Sequence, residues 1–164
     1  GRRGGSDYGR QLLEKQKLRY TYGLSERQLS NYVKASFALK DPALSLHRAL
    51  ELRADNVVYR SGLAPTRRAS RQMVSHGHIM INGERITIPS YAVSKGDSVD
   101  VREGSRKSSM YGKITDPEEA GSLRKTSWIK FDPNLMHAEI IGEPAYSPVD
   151  AGIDYSTVFE FYSR

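Results

Sequence analysis

The sequence contains no cysteine. That absence excludes disulfides and any zinc site built on thiolates, and it fits a reducing compartment. No apolar run approaches the ~20 residues that a membrane-spanning helix needs, and no signal-peptide pattern is found, so no membrane partner is expected. Catalytic signatures are missing as well. There is no Gly-rich phosphate loop with its lysine, no nucleophile elbow and no histidine pair at metalloprotease spacing. The adjacent Glu118 and Glu119 lie in polar sequence and read as solvated surface. A binding protein is expected rather than an enzyme, with no cofactor, no metal and no small-molecule substrate.

What is present in excess is positive charge. The 164 residues carry 25 Lys and Arg against 19 Asp and Glu, a net charge of +6, and the sequence pI is near 9.5. Such a balance points to an anionic partner. The charge is also unevenly placed. Basic residues fill the region from Arg2 to Arg71, and acidic ones are relatively richer from Asp97 onward.

The amino-terminal third reads as helices. "SDYGRQLLEKQKLRYTYGL" runs long and meets Gly23, a natural helix stop. Ser25 and Gln28 have capping-box spacing, with Leu24 and Leu29 as the hydrophobic staple, so a second helix is expected to run to about Leu39. Asp41 and Pro42 open a third, with Leu46 and Leu50 on its apolar face. A fourth is expected after Asp55, closed by Gly62. Thr66 caps a fifth that ends at Gly77, with Ala69 and Met73 as its buried face.

The period then changes from helical to alternating in "HIMINGERITI". With Asn82-Gly83 as a type I′ turn, Ile79, Ile81, Ile86 and Ile88 share one face, and Pro89 stops the second strand. Val99 and Val101 are expected to point inward from a further strand. These elements define a small helix-plus-sheet module from about Leu52 to Arg102. Glu103 to Ser122 is polar and read as a short helix and loop. "SWIKFDPNLMHAEIIG" reads as two strands around an Asp-Pro-Asn turn, and "DAGIDYSTVFEFYSR" as a short closing helix.

Three arginines crowd the start of the fifth helix, with Arg67 and Arg68 in its first turn, where the macrodipole favours acids. Arg67 and Arg71 share a face and Arg68 sits beside them. A phosphate would compensate, because helix amides and guanidinium forks bind the same anion. Pairing with Asp or Glu elsewhere is the structural alternative. His76 and His78 flank Gly77 and could cap carbonyls or touch nucleotide; as a metal pair they lack a third ligand. Arg2, Arg3, Lys15, Lys17 and Arg19 form a second basic group. Tyr8, Tyr20 and Tyr22 interleave with it, suited either to stacking on unpaired bases or to packing in a core. In the tail "VFEFYSR", Val158 and Tyr162 share a helical face, expected to close over Leu12 and Leu46.

The stretch "TRRASRQMVSHGHIMINGERITIPSY" resembles the small RNA-binding helix–loop–strand module shared by a ribosomal protein, bacterial pseudouridine synthases and tyrosyl-tRNA synthetases. The flanks "YGRQLLEKQKLRYTYGLSERQLSNYV", "ADNVVYRSGLAPTRR" and "FEFYSR" resemble the family of the fourth protein of the small ribosomal subunit. The resemblance covers nearly the whole chain and is weakest from Gly104 to Leu123 and from Glu143 to Tyr155. The alternatives are an accessory module of an rRNA-modifying enzyme and a ribosome-associated stress factor; a pseudouridine synthase would need a separate catalytic domain, for which 164 residues leave no room beside the module.

The resemblance implies an α+β fold: a discontinuous helical domain, residues 1–51 and 144–164, with an inserted small α/β RNA-binding module, residues 52–143, of helices packed on a small antiparallel sheet. It implies binding to small-subunit rRNA early in assembly, near a multi-helix junction of the five-prime domain and the path by which mRNA enters. A cytoplasmic, ribosome-bound location and a part in translational accuracy go with it. By matching motif, the RNA-facing candidates are Arg67, Arg68, Arg71, Gln72, His76, His78, Asn82, Ser90 and Tyr91, with Arg2, Arg3, Tyr8, Gln11, Lys15, Lys17 and Arg19 from the first helix. Phe159, Phe161 and Tyr162 are nominated to meet a neighbour, the fifth small-subunit protein. Departures from the family pattern fall at Ala54, Pro65, Ala69 and Ser70. The Cys cluster of some members has no counterpart here, so no zinc is expected.

Overall fold

The computed structural model describes residues 2–107 and 126–164, with residues 2–6 as backbone alone. The side chains of Arg2 and Arg3, and the expected helix-and-loop segment beyond Lys107, lie outside the described residues. The fold is α+β, in two compact units: Gly1–Leu50 with Ala145–Arg164, and Glu51–Pro144.

The first unit is helical. It holds α1 (Arg2–Tyr22), α2 (Glu26–Phe37), nearly all of α3 (Pro42–Glu51), and two helices of the carboxy-terminal segment, α6 (Pro148–Ala151) and α7 (Tyr155–Tyr162). The start of α2 follows the sequence signal. The Gln28 amide donates to Ser25 Oγ (3.1 Å), the Ser25 amide donates to Gln28 Oε1 (3.0 Å), and the staple residues Leu24 and Leu29 are buried. The helix ends at Phe37, short of the expected Leu39, where the Leu39 amide turns back to the Ser36 carbonyl. Asp41 then caps α3 through the Leu44 amide (3.3 Å).

Tail helix α7 closes this core. Val158 and Tyr155 are fully buried among Leu18, Tyr22, Leu29, Val33 and Leu46. Leu46 shares this cluster with the tail helix, whereas Leu12 stays half-exposed outside it. His47 is buried beside Tyr155, with Nδ1 and the phenol oxygen 2.8 Å apart. Asp154 caps α7, accepting from the Thr157 amide (3.3 Å) and hydroxyl (2.8 Å).

The second unit packs α4 (Ala54–Arg60) and α5 (Arg67–Ser75) on an antiparallel sheet of β1 (Ile79–Ile81), β2 (Glu84–Ile86), β3 (Ser98–Val101), β4 (Ile129–Asp132) and β5 (His137–Ile140), in the order β2-β1-β3-β5-β4. Alternation sets the buried face: Ile79, Ile81, Val99, Val101, Ala138 and Ile140 all point to the helices. The register Ile79↔Ile86, Met80↔Arg85, Ile81↔Glu84 is the one an Asn82-Gly83 turn dictates. Both turn residues are left-handed, Asn82 at φ 53° and Gly83 at φ 81°.

Two sequence expectations need correction here. Ile88 does not extend the apolar face; it is 60% exposed. The strand ends at Ile86 because the chain leaves the sheet to dock on α4, whose Asp55 amide donates to the Pro89 carbonyl (3.1 Å) and whose Ala54 amide donates to that of Tyr91 (2.9 Å). On α5, Ala69 is only partly buried against the core, and Ser70 is fully buried beside Met73 and Val74. Its hydroxyl is tolerated there because it donates to the Arg67 carbonyl (2.8 Å).

The start of α4 holds a buried polar group. The fourth helix does not follow Asp55, as expected, but includes it; Asp55 is buried with Arg53, Asn56 and Glu51. Arg53 donates two parallel bonds to its carboxylate, Nε at 3.1 Å and Nη2 at 3.0 Å. Asn56 donates its side-chain amide to Glu51, at the carbonyl (2.7 Å) and at Oε2 (2.9 Å). Arg60 Nε lies 3.0 Å from Glu51 Oε1.

Two expectations follow. Open space surrounds the Cβ position at Gly83, so Gly83→Val carries backbone strain alone, about 1–2 kcal/mol. A thermal melt of the variant is expected to shift downward accordingly; a wild-type midpoint would contradict the turn. Removing the buried carboxylate in Asp55→Ala leaves the Arg53 guanidinium in the interior without it, a loss of about 3–5 kcal/mol. Denaturant titration reads this, and a loss under about 1 kcal/mol would mean the pair behaves as a solvated surface bridge.

Candidate nucleic-acid interface

The arginines of α5 divide into two kinds. Thr66 caps the helix by accepting from the Ala69 amide (3.0 Å). Arg71 reaches back to the buried carboxylate, its Nε 3.6 Å from Asp55 Oδ2. Arg67 donates Nε to Asn56 Oδ1 (3.3 Å) and lays its guanidinium 4.5 Å from the Tyr59 ring centroid. Arg68 is exposed, with no hydrogen bond or ion pair among the described residues. The structural alternative, pairing with an acid, is realised for Arg71, while Arg67 is oriented by Asn56. Each keeps part of its surface in solvent. Gln72 is exposed one residue further on.

At its other end α5 stops in a Schellman arrangement. The His78 amide donates to the Met73 carbonyl (3.0 Å) and the Gly77 amide to that of Val74 (2.9 Å), with Gly77 at φ 76°. The His76 and His78 rings are 6.3 Å apart. His78 Nδ1 lies 2.7 Å from Ser105 Oγ. Burial, and then the positive charges of Arg102, His76 and Arg85, hold the His78 pKa below its ordinary value. Among the described residues no three His, Cys, Asp or Glu side chains are grouped to hold a metal.

Asn82 has a structural occupation. Its side chain donates to Asp97 Oδ1 (2.9 Å) and accepts from the Ser98 amide (2.9 Å), tying the hairpin turn to the start of β3. Ser90 and Tyr91 are exposed in the loop that docks on α4. Further along the sheet the outer face turns acidic. Asp100 lies 2.5 Å from His137 Nδ1, and Glu139 is 3.3 Å from Nε2. The hydrogen bond to Asp100 is the main cause that raises the His137 pKa.

The basic group on α1, in the other unit, is only partly available. Lys15 is buried, 2.7 Å from Glu26 and 4.7 Å from the Phe161 ring centroid. Gln11 is buried too, bonded to Glu160 (3.2 Å) and Arg164 (2.7 Å). Both were expected to face RNA; α7 and α2 cover them instead. Lys17 is half-exposed beside Glu14 (3.1 Å). Arg19 pairs with Glu26 (3.2 Å) and covers the Tyr20 ring at 4.5 Å. The tyrosines separate: Tyr22 is core, whereas Tyr20 is 70% and Tyr8 45% exposed. Of the aromatic tail, Phe159 packs edge-on to Phe37 (5.0 Å) and Phe161 lies against Tyr8 (6.0 Å) and Tyr162 (5.3 Å). Burial pushes the Tyr162 phenol up to about 12.

Sequence reasoning passed over Arg85, Arg102 and Arg106. Arg85 was legible as outward-facing from the hairpin alternation. Its nearness to Arg102 depends on β1 lying between β2 and β3, which no local pattern encodes.

Comparison with known proteins places these elements. Residues 1–51 match the model of the ribosomal protein S4/S9 N-terminal domain and residues 52–99 that of the S4 domain. The small ribosomal subunit protein uS4 of Roseiflexus sp. (strain RS-1) is 42% identical over 164 residues, covering 99% of this chain and 80% of the relative. Those of Ligilactobacillus salivarius and Lactiplantibacillus plantarum are each 44% identical, covering 97% and 100% of this chain and 78% and 81% of theirs. The helical amino-terminal segment, the arginine-led α5 with its hairpin, and identity along the whole length agree: this chain belongs to the family of small ribosomal subunit protein uS4.

Proposed function

We propose that the chain is a structural component of the small ribosomal subunit that binds its rRNA early and nucleates assembly, without enzymatic activity. The observation that carries this is Arg68, a cation in the first turn of α5 exposed beside two arginines that α4 holds in place. A helix start so charged is unfavourable unless an anion completes it, and a backbone phosphate satisfies both guanidinium forks and helix amides. Gln72, His76, His78, Ser90 and Tyr91 extend the same RNA face. Exposed Tyr20 and Tyr8, with Lys17 and Arg19, suit a second area of contact in which rings stack on unpaired bases. The relatives are small-subunit ribosomal proteins by name, which supports rRNA as the nucleic acid and the cytoplasmic ribosome as the location. The position near the path by which mRNA enters, the part in accuracy, and contact of the Phe159–Tyr162 segment with the fifth small-subunit protein belong to the same reading. So does a division of labour between a helical domain, 1–51 and 144–164, and an RNA-binding module, 52–143.

Footprinting of small-subunit rRNA by the full chain tests the reading directly; protection confined to a five-prime junction is expected, and none at all would overturn it. Arg68→Ala isolates the electrostatic element. Its melting temperature is expected to stay at the wild-type value, while the slope of log affinity against log salt flattens by about 0.7–0.9, one phosphate contact. An unchanged slope would remove Arg68 from the interface.

A further inference from the structure

A second group of cations gathers at the opposite end of α5, where the helix hands over to the sheet. Arg85 of β2 donates Nε to the Gly77 carbonyl (2.9 Å) and reaches the His76 carbonyl with Nη2 (3.5 Å). Its guanidinium occupies the space that a Cβ on Gly77 would fill, so the glycine serves both the left-handed stop and this close approach. On the other side of β1, the Arg102 amide donates to the His78 carbonyl (2.8 Å), which fixes the start of Arg102's side chain beside His78. That side chain is exposed. Arg106 follows, with Nε on the Val101 carbonyl (3.0 Å).

None of these three guanidinium groups pairs with a carboxylate among the described residues. The acids nearby in sequence, Glu84 and Glu103, are exposed and make no ion pair among the described residues, and Asp100 on the same face is engaged by His137. Like charges held together by backbone bonds, without a counter-ion, form a site that an anion would complete. Arginines bonded to carbonyls keep other N–H groups for a ligand, because the guanidinium carries five donors.

We propose that Arg85, Arg102 and His78 form a second binding site for RNA backbone phosphate, separate from the start of α5, in which His78 takes up a proton as the phosphate binds. The ribosomal reading supplies only the identity of the polyanion; the site itself rests on the geometry. The groups acting on His78 are Arg85 from β2, His76 from the end of α5, Arg102 after β3 and Ser105 from the following 3-10 turn. All the charges among them are positive or neutral; burial first, and then these charges, keep the free imidazole's pKa below 6.5. A phosphate between the arginines reverses that field and raises the pKa. Protons are then taken up on binding in the window between the two values, and affinity rises as pH falls through it.

The test uses the full chain in two arms. In the first, the His78 Hε1 resonance is titrated with pH in the presence and absence of tripolyphosphate. The midpoint is expected to move upward with the anion in the wild type and to respond less in Arg102→Gln. In the second, the salt slope of rRNA binding is compared between wild type and Arg102→Gln, with a flattening of about 0.7–0.9 expected. Arg85→Gln is run alongside, with its melting curve, because Arg85 also supports the end of α5. A midpoint indifferent to tripolyphosphate overturns the site, and an unchanged slope in a folded Arg102→Gln overturns its assignment to RNA. If tripolyphosphate moves the midpoint while rRNA does not bind at all, the site stands and the ribosomal reading fails.

Discussion

The bidentate pair of Arg53 with Asp55 is the interaction on which the second unit's binding face depends. Both side chains are almost wholly buried, at 3% and 6% exposure. A buried pair of this kind adds little net stability over an apolar replacement, because desolvation offsets most of the Coulomb attraction. Its effect is positional. Asp55 also accepts from the Asn56 amide (2.7 Å) and faces Arg71, while Asn56 holds Arg67. The amides of Ala54 and Asp55 receive the loop that carries Ser90 and Tyr91. One small cluster at the start of α4 therefore sets α5's arginines and the exit of the hairpin.

Charge is segregated on the same unit. Arg85, Arg102 and Arg106 stand where β1, β2 and β3 meet α5, whereas Asp100, Glu139 and Asp132 occupy the outer side of β3, β5 and β4. His137 sits among those acids and its proton affinity rises; His78 sits among the arginines and its proton affinity falls. The two histidines are thus shifted in opposite directions, His137 chiefly by its hydrogen bond to Asp100 and His78 chiefly by burial.

The parts of this arrangement legible in the sequence are those with local causes. Ser25 with Gln28, Thr66, Gly77 and Asn82-Gly83 act within a few residues of themselves, and each sits in the turn or cap its chemistry predicts. The strand alternation of Ile79, Ile81, Val99 and Val101 was legible for the same reason. Lys15 and Gln11 were misread because what covers them lies elsewhere in the chain: Glu26 on α2, and Glu160, Phe161 and Arg164 of the tail. Asp55 was placed ahead of its helix; the bidentate bond from the buried Arg53 makes a position inside the helix tolerable. Ile88 obeyed the alternation but not the path of the chain, which leaves the sheet to satisfy α4.

The division among Arg67, Arg68 and Arg71 has a consequence for how an anion would be received. A partly exposed ion pair such as Arg71 with Asp55, at 3.6 Å, contributes at most about 1 kcal/mol. Exchanging some of that contact for a bidentate phosphate bond is therefore inexpensive, and the carboxylate underneath still has Arg53. Arg67 is held differently, by an amide oxygen and an aromatic face, and part of its surface stays in solvent. Arg68 has the freedom of an exposed side chain and loses the most rotamer entropy on binding. Tethering two of three arginines limits that loss to one side chain. The acid and amide of α4 do not compete with a phosphate so much as hold the guanidinium forks ready for it.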